Sequence, residues 1–162
     1  MVDHTFKKGR YSYMRAVIVY ASVHHGNTKK IVDVMAPEIG ADVVDITKEK
    51  NVDLSGYDVI GLASGVFYHS MHDGIKELIE KSDFSGNKKV FTVTTCGVGY
   101  RNYASGAAKK IKIKGADYLG NFQCRGFDTF GVFGKFGGIA KKHPDRKDME
   151  NARQFIKRII NV

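Results

Sequence analysis

Five short apolar runs interleaved with segments of helical periodicity set the strongest limit on what this chain can fold into. The runs cover residues 15–20, 41–46, 57–63, 89–95 and 116–124. Residues 28–36 read as a helix with Ile31, Val34 and Met35 on one side, closed by Pro37 and Gly40. Asp73 reads as an N-cap ahead of the stripe Ile75, Leu78 and Ile79, and residues 103–113 as a basic helix. The last helix covers residues 144–160, with Pro144 in its first turn and Met149, Ala152, Phe155, Ile156 and Ile159 facing inward. Alternation of apolar strands with helices predicts a parallel sheet covered on both faces. Right-handed crossovers make it doubly wound, and the common five-strand order is 2-1-3-4-5. Ligands in such sheets sit outside the carboxyl ends of the strands where the order reverses, which selects the loops after strands one, three and four.

The chain has 162 residues, enough for one domain with a real core and too few for two ordinary ones. Residues 1–13 carry no periodicity and precede a second methionine, Met14, so they read as a loose extension of a domain spanning 14–162. No apolar stretch approaches the roughly 18 residues a membrane span needs, and a cytoplasmic location is expected. Cys96 and Cys124 are too few for a disulfide scaffold and are expected to be reduced. The net charge of +9 favours anionic cofactors and acidic partners. Its clusters, such as Lys109, Lys110, Lys112 and Lys114, read as solvated helix faces rather than a nucleic-acid surface.

The loop after strand one runs from Ser22 through His24 and His25 to Gly26-Asn27-Thr28, where a helix begins. At a helix start several backbone N–H groups lack intrahelical partners and the helix dipole is positive, so this loop is an anion nest of phosphate size. The loop after strand three, residues 64–72, is long and carries Phe67 and Tyr68. The loop after strand four, residues 96–103, is glycine-rich and carries Tyr100 and Tyr103. Two aromatic loops beside one phosphate nest describe a slot for a flat ring with a phosphate tail.

Ser22 to Gly26-Asn27-Thr28, Ala63-Ser64-Gly65 and Thr94-Thr95-Cys96-Gly97, at these separations, resemble the flavodoxins over residues 14–162. The resemblance implies a flavodoxin-like three-layer sandwich, with a five-stranded parallel sheet of order 2-1-3-4-5 and helices on both faces. It implies FMN as cofactor. Its phosphate would fall on Ser22, Gly26, Asn27 and Thr28, with one of His24 and His25 donating to it. Its ring would lie between Ser64, Gly65 and either Phe67 or Tyr68 on one side, and Cys96, Gly97 and either Tyr100 or Tyr103 on the other. The implied function is electron transfer between redox protein partners. The alternatives are an FMN-dependent oxidoreductase of the same fold, quinone-reductase or protoporphyrinogen-oxidase-like, and a module that has lost FMN.

Three departures from the family pattern stand out. His24 and His25 replace the usual hydroxyl residues, and the spacing from Ser22 to Gly26 is one residue longer than usual. Neither Asp nor Glu occurs in residues 64–72 or 96–103, which with Arg101 predicts a reduction couple less negative than in acidic flavodoxins. The phenylalanines at 127, 130, 133 and 136 lengthen the connection after strand five, and interleaved glycines exclude a stable helix there. His69 and His72 have a metal-like spacing, but without a carboxylate or second thiol in these loops no metal site is expected. Cys96, at a strand end beside a helix start, would be a reactive thiol if the helix dipole depressed its pKa, and otherwise a small packing residue.

Overall fold

The computed structural model describes residues 14–129 and 132–161; the expected loose extension at 1–13 lies outside the described residues. In chain order the elements begin with β1 (Ala16–Ala21), α1 (Asn27–Ile39), β2 (Asp42–Asp45), β3 (Val59–Phe67) and β4 (Ser70–Met71). They continue with α2 (Asp73–Lys81), β5 (Lys89–Cys96), α3 (Ser105–Ile113), β6 (Asp117–Arg125), α4 (Val132–Lys135) and α5 (Arg146–Ile160). The main sheet is parallel in the order β2-β1-β3-β5-β6, which is the expected 2-1-3-4-5, while β4 pairs only with β3.

Strand side chains alternate faces with a period of two, so each strand supplies two cores. Ile18, Phe91 and Val93 pack with Ile31 and Met35 of α1 and Phe155 and Ile156 of α5. Val17, Val19, Ile60 and Leu62 face the other way, toward Ile75 and Ile79 of α2 and Ile111 of α3. Burial on both faces is why β1 reads as an unbroken apolar run.

Several boundaries differ from expectation for identifiable reasons. α1 continues through Pro37 to Ile39 without the one hydrogen bond that Pro37 cannot donate, and Gly40 then ends the helix at φ 61. α2 is capped by His72, whose Nδ1 accepts the Gly74 N–H at 3.0 Å, while Asp73 is the first helical residue and pairs with Lys76 at 2.7 Å. α3 begins at Ser105 rather than 103. α5 begins at Arg146, behind a capping box of Asp145 and Asp148, so Pro144 lies ahead of it.

The larger differences fall at the carboxyl end of the sheet. β3 runs on to Phe67 and turns back as β4, through Tyr68 at φ 46 and His69 at φ 65. After β6 the chain doubles back so that Asp128 and Ile139 bridge antiparallel, and Val132–Lys135 form a single helical turn where the glycine spacing predicted none. This strap lies over the loop after β1.

Candidate functional site

β1 delivers the chain into α1 through a loop whose last two residues, His25 at φ 56 and Gly26 at φ 66, are both left-handed. α1 then begins at Asn27, and the first N–H groups of a helix have no intrahelical acceptor. Ser22 Oγ accepts the Lys29 N–H at 3.3 Å and the Gly26 carbonyl accepts the Lys30 N–H at 3.0 Å. Among the described residues, no group accepts from the N–H of Gly26, Asn27 or Thr28. No acidic residue lies in the first turn of α1.

Asn27 and Thr28 fix this helix end to the rest of the site. Thr28 Oγ1 shares a buried hydrogen bond of 2.9 Å with Thr95 Oγ1 at the end of β5. Asn27 Nδ2 donates to the Phe127 carbonyl at 2.8 Å, while Asn27 Oδ1, also buried, has no hydrogen-bond partner. A buried acceptor left unpaired costs roughly 1–3 kcal/mol, so a ligand hydroxyl reaching it would be favoured. Three unpartnered amides and one unpartnered acceptor suit a phosphate ester bearing hydroxyl groups, and by that measure the residues present fit FMN.

Above the nest is a shallow cleft, largely open to solvent, that encloses about 50 Å³. Of the sequence-predicted residues it is lined by Ser22, His24, Asn27 and Thr28 from the first loop, Gly65 and Phe67 from β3, and Cys96 and Gly97 from the end of β5. Gly26 caps α1 at its base. Ser64 is buried, donating to the Gly65 carbonyl at 2.5 Å and accepting the His72 N–H at 2.9 Å, so it holds the β3–β4 hairpin in place.

The histidine pair separates. The His24 ring lies in the cleft 5.9 Å from Phe67, whereas His25 turns to the strap, with its ring 4.2 Å from Phe127 and Nε2 2.9 Å from Thr129 Oγ1. The aromatic alternatives separate too. Phe67 lines the cleft while Tyr68, 83% exposed, points outward at the hairpin tip. Tyr100 is 64% exposed, and Tyr103 is buried with its hydroxyl donating to the Val98 carbonyl at 2.6 Å. Neither tyrosine lines the cleft; the Tyr103 ring lies within 15° of parallel to that of His69, 6.4 Å away.

The strap brings residues that loop-by-loop reading did not find. Gly126, Phe127 and Asp128 line the cleft, with Asp128 so close to Gly97 that a Cβ there would lie 2.5 Å from Oδ2. The two aromatic loops carry no carboxylate, as their sequences say, but the cleft receives one from outside them. Arg125 stands nearby and donates from Nε to the Gly97 carbonyl at 3.2 Å. The length of the phenylalanine-rich connection was the only sequence signal for this, and length alone does not say where a segment folds.

Burial pushes the Cys96 thiol up to about 11, with Asp128 adding to the rise and Arg125 opposing it. Cys124 is raised more strongly by the same cause. Both are free and buried, so neither is an activated nucleophile. An unfolded thiol titrates near 8.5, so a raised folded value favours the neutral thiol in the native state. That stabilisation is complete below about pH 8.5 and is lost as pH rises through about 11. Urea midpoints are therefore expected to fall between pH 8 and 10.5, with a shallower fall in Cys96→Ala; an identical slope in that variant would contradict the burial account.

A family model described as a flavodoxin domain matches residues 17–143, and the chain belongs to that family. An uncharacterized protein of Methanocaldococcus jannaschii is 37% identical over 149 residues, covering 91% of this chain and 99% of the relative. Among solved structures, oxidised flavodoxin 2 from Bacillus cereus superposes with a TM-score of 0.68 at 16% identity, covering 90% of this chain and 98% of that one. A flavoprotein from Lactobacillus acidophilus, solved in complex with FMN, superposes with a TM-score of 0.53 at 20% identity, covering 68% and 93%. Among the described residues, no helix is long and apolar enough to cross a membrane.

Proposed function

We propose that this protein binds FMN in the cleft above α1 and carries electrons between redox proteins. The observation that carries the reading is the α1 N-terminus, where three backbone amides without acceptors and the buried Asn27 amide meet beneath the walls formed by β3 and β5. Ser22, His24, Gly26, Asn27 and Thr28 would hold the phosphate. Gly65 and Phe67 would flank the ring on one side and Cys96 and Gly97 on the other, with Tyr100 or Tyr103 closing its outer edge. FMN supplies one- and two-electron transfer when bound, and the chain sets its position and its electrostatic surroundings. Arg101 and Arg125 favour negative charge near this end of the sheet and Asp128 opposes it, so the couple expected from the two loops alone is shifted back in part by the strap.

The partner we propose is an acidic redox protein. Of the nine large apolar side chains exposed among the described residues, six (Val23, Tyr68, Val98, Tyr100, Val132 and Phe136) lie at the cleft end of the sheet. That end also carries Arg101, Arg125, Lys135, Lys141 and Lys142, with Asp73, Asp128, Asp145 and Asp148 among them. Apolar contact beside basic side chains, on a chain of net charge +9, suits transient docking with electrostatic steering. A cytoplasmic location goes with this reading, supported by two buried thiols left unpaired.

Exposure of Phe136 (84%) and Val132 (64%) on the strap favours one alternative, an FMN-dependent oxidoreductase in which this segment covers a substrate. Steady-state assays of the flavin-loaded protein separate the two. A carrier shows little turnover with NAD(P)H and quinones and requires a protein reductase. Saturable turnover of a small molecule without one would replace the carrier reading by the enzyme. A preparation that stays colourless after reconstitution would remove both.

A further inference from the structure

Between α2 and α3, on the sheet face opposite α1 and α5, lies a second concavity that shares no lining residue with the cleft above α1. It encloses about 370 Å³, which is within the size of small-molecule pockets at roughly 300–1,000 Å³. Its floor is apolar, made by the buried Met71 and Ile79, and Tyr103 forms one wall. Lys76, Arg101 and Lys110 line it and no carboxylate does.

The cations differ in how far they are already engaged. Lys76 pairs with Asp73 at 2.7 Å and reaches Ser70 Oγ at 3.2 Å, and Lys110 pairs with Glu80. Arg101 has no carboxylate within ion-pair distance among the described residues. Its guanidinium lies 5.7 Å and 5.5 Å from the ring centres of Tyr100 and Tyr103, which hold it at the groove mouth as a cation over aromatic faces. α3 starts in the same groove, with no acidic residue in its first turn and no side chain capping its N-terminus. A guanidinium without a matching carboxylate, set over an apolar floor and beside an aromatic wall, is a recognition pattern for one kind of ligand.

We propose that this groove binds a small organic anion, a carboxylate or phosphate attached to a planar apolar body. The anionic group is held by Arg101, and the body rests on Met71, Ile79 and Tyr103. None of these residues lines the cleft above α1, and Tyr103 is the one that the proposed flavin ring could also meet, so binding is compared with and without FMN.

The test is a backbone-amide NMR titration of the full chain with phenyl phosphate, benzoate and inorganic phosphate, run with and without saturating FMN. Phenyl phosphate or benzoate is expected to shift the amides of Ser70, Ser105 and Gly106 in both states, and whichever shifts them at lower concentration identifies the anionic group. Arg101→Gln is expected to weaken that binding about tenfold, the loss of one charge-assisted hydrogen bond, while the rest of the spectrum stays superimposable. Shifts confined to residues 25–28, shifts abolished by FMN, or equal affinity in Arg101→Gln would overturn the proposal. Inorganic phosphate binding the groove as tightly as phenyl phosphate would overturn the planar, apolar part of the ligand class. A failure of FMN to bind leaves the groove result readable by itself.

Discussion

Replacing Gly61 by alanine is expected to destabilise the protein by about 2 kcal/mol, the middle of the range for overpacking a closed core. In register, Gly61 of β3 lies between Ile18 of β1 and Phe91 of β5. A Cβ at this position would stand 2.5 Å from Phe91 Cζ, 2.9 Å from Cε2 and 3.1 Å from Ile18 Cγ1. Phe91 has no room to retreat, since it is fully buried and meets Phe155 of α5 edge-on at 6.3 Å. Alanine would regain roughly 0.5–1 kcal/mol of backbone entropy relative to glycine, which is smaller than the packing loss. Urea denaturation reads the result as a lower midpoint at unchanged slope. Combining Gly61→Ala with Phe91→Leu should recover part of the loss relative to the sum of the single changes. A Gly61→Ala variant as stable as the parent would contradict the packing described.

Gly126→Ala is expected to damage both stability and cofactor affinity, because this glycine makes room for the side chain that joins the strap to the nest. Its Cβ would lie 2.7 Å from Asn27 Nδ2 and 2.8 Å from Cγ. Asn27 is buried and holds the Phe127 carbonyl, so relief requires breaking that bond and moving the first residue of α1. The expected cost is about 1–3 kcal/mol in folding. FMN affinity should fall about tenfold, equivalent to 1.4 kcal/mol, from misaligned amides at the helix start. Riboflavin, which has no phosphate, should be affected much less. Equal losses for both flavins would show that Gly126 matters only to the general shape of the cleft.

The architecture was legible in the sequence because it rests on burial. Residues such as Val17 to Ala21 are apolar at every position, which a strand buried on both faces demands, and the helices between the strands carry one apolar stripe each. What escaped depended on contacts distant in sequence or on conformations with no residue signature. The β3–β4 hairpin turns on Tyr68 and His69 in left-handed geometry, where asparagine and glycine are the usual markers, so nothing in its sequence announces a turn. The single turn at Val132–Lys135 forms despite flanking glycines because the strap is held at both ends, by the bridge from Asp128 to Ile139 and by the Phe127 N–H donating to the His143 carbonyl. The nest itself was readable from Gly26-Asn27-Thr28 alone. The side of the cleft built by Gly126, Phe127 and Asp128 was not, since it comes from about 100 residues further along the chain.

The central claim is that the α1 N-terminus is a phosphate site serving a flavin. Its most direct test is a fluorescence titration of the apoprotein with FMN and, separately, with riboflavin. FMN should saturate a single site and riboflavin should bind at least about a hundredfold more weakly, since two or three hydrogen bonds to a dianion are absent. Equal affinity for the two flavins, or no saturable binding of FMN, would contradict the account.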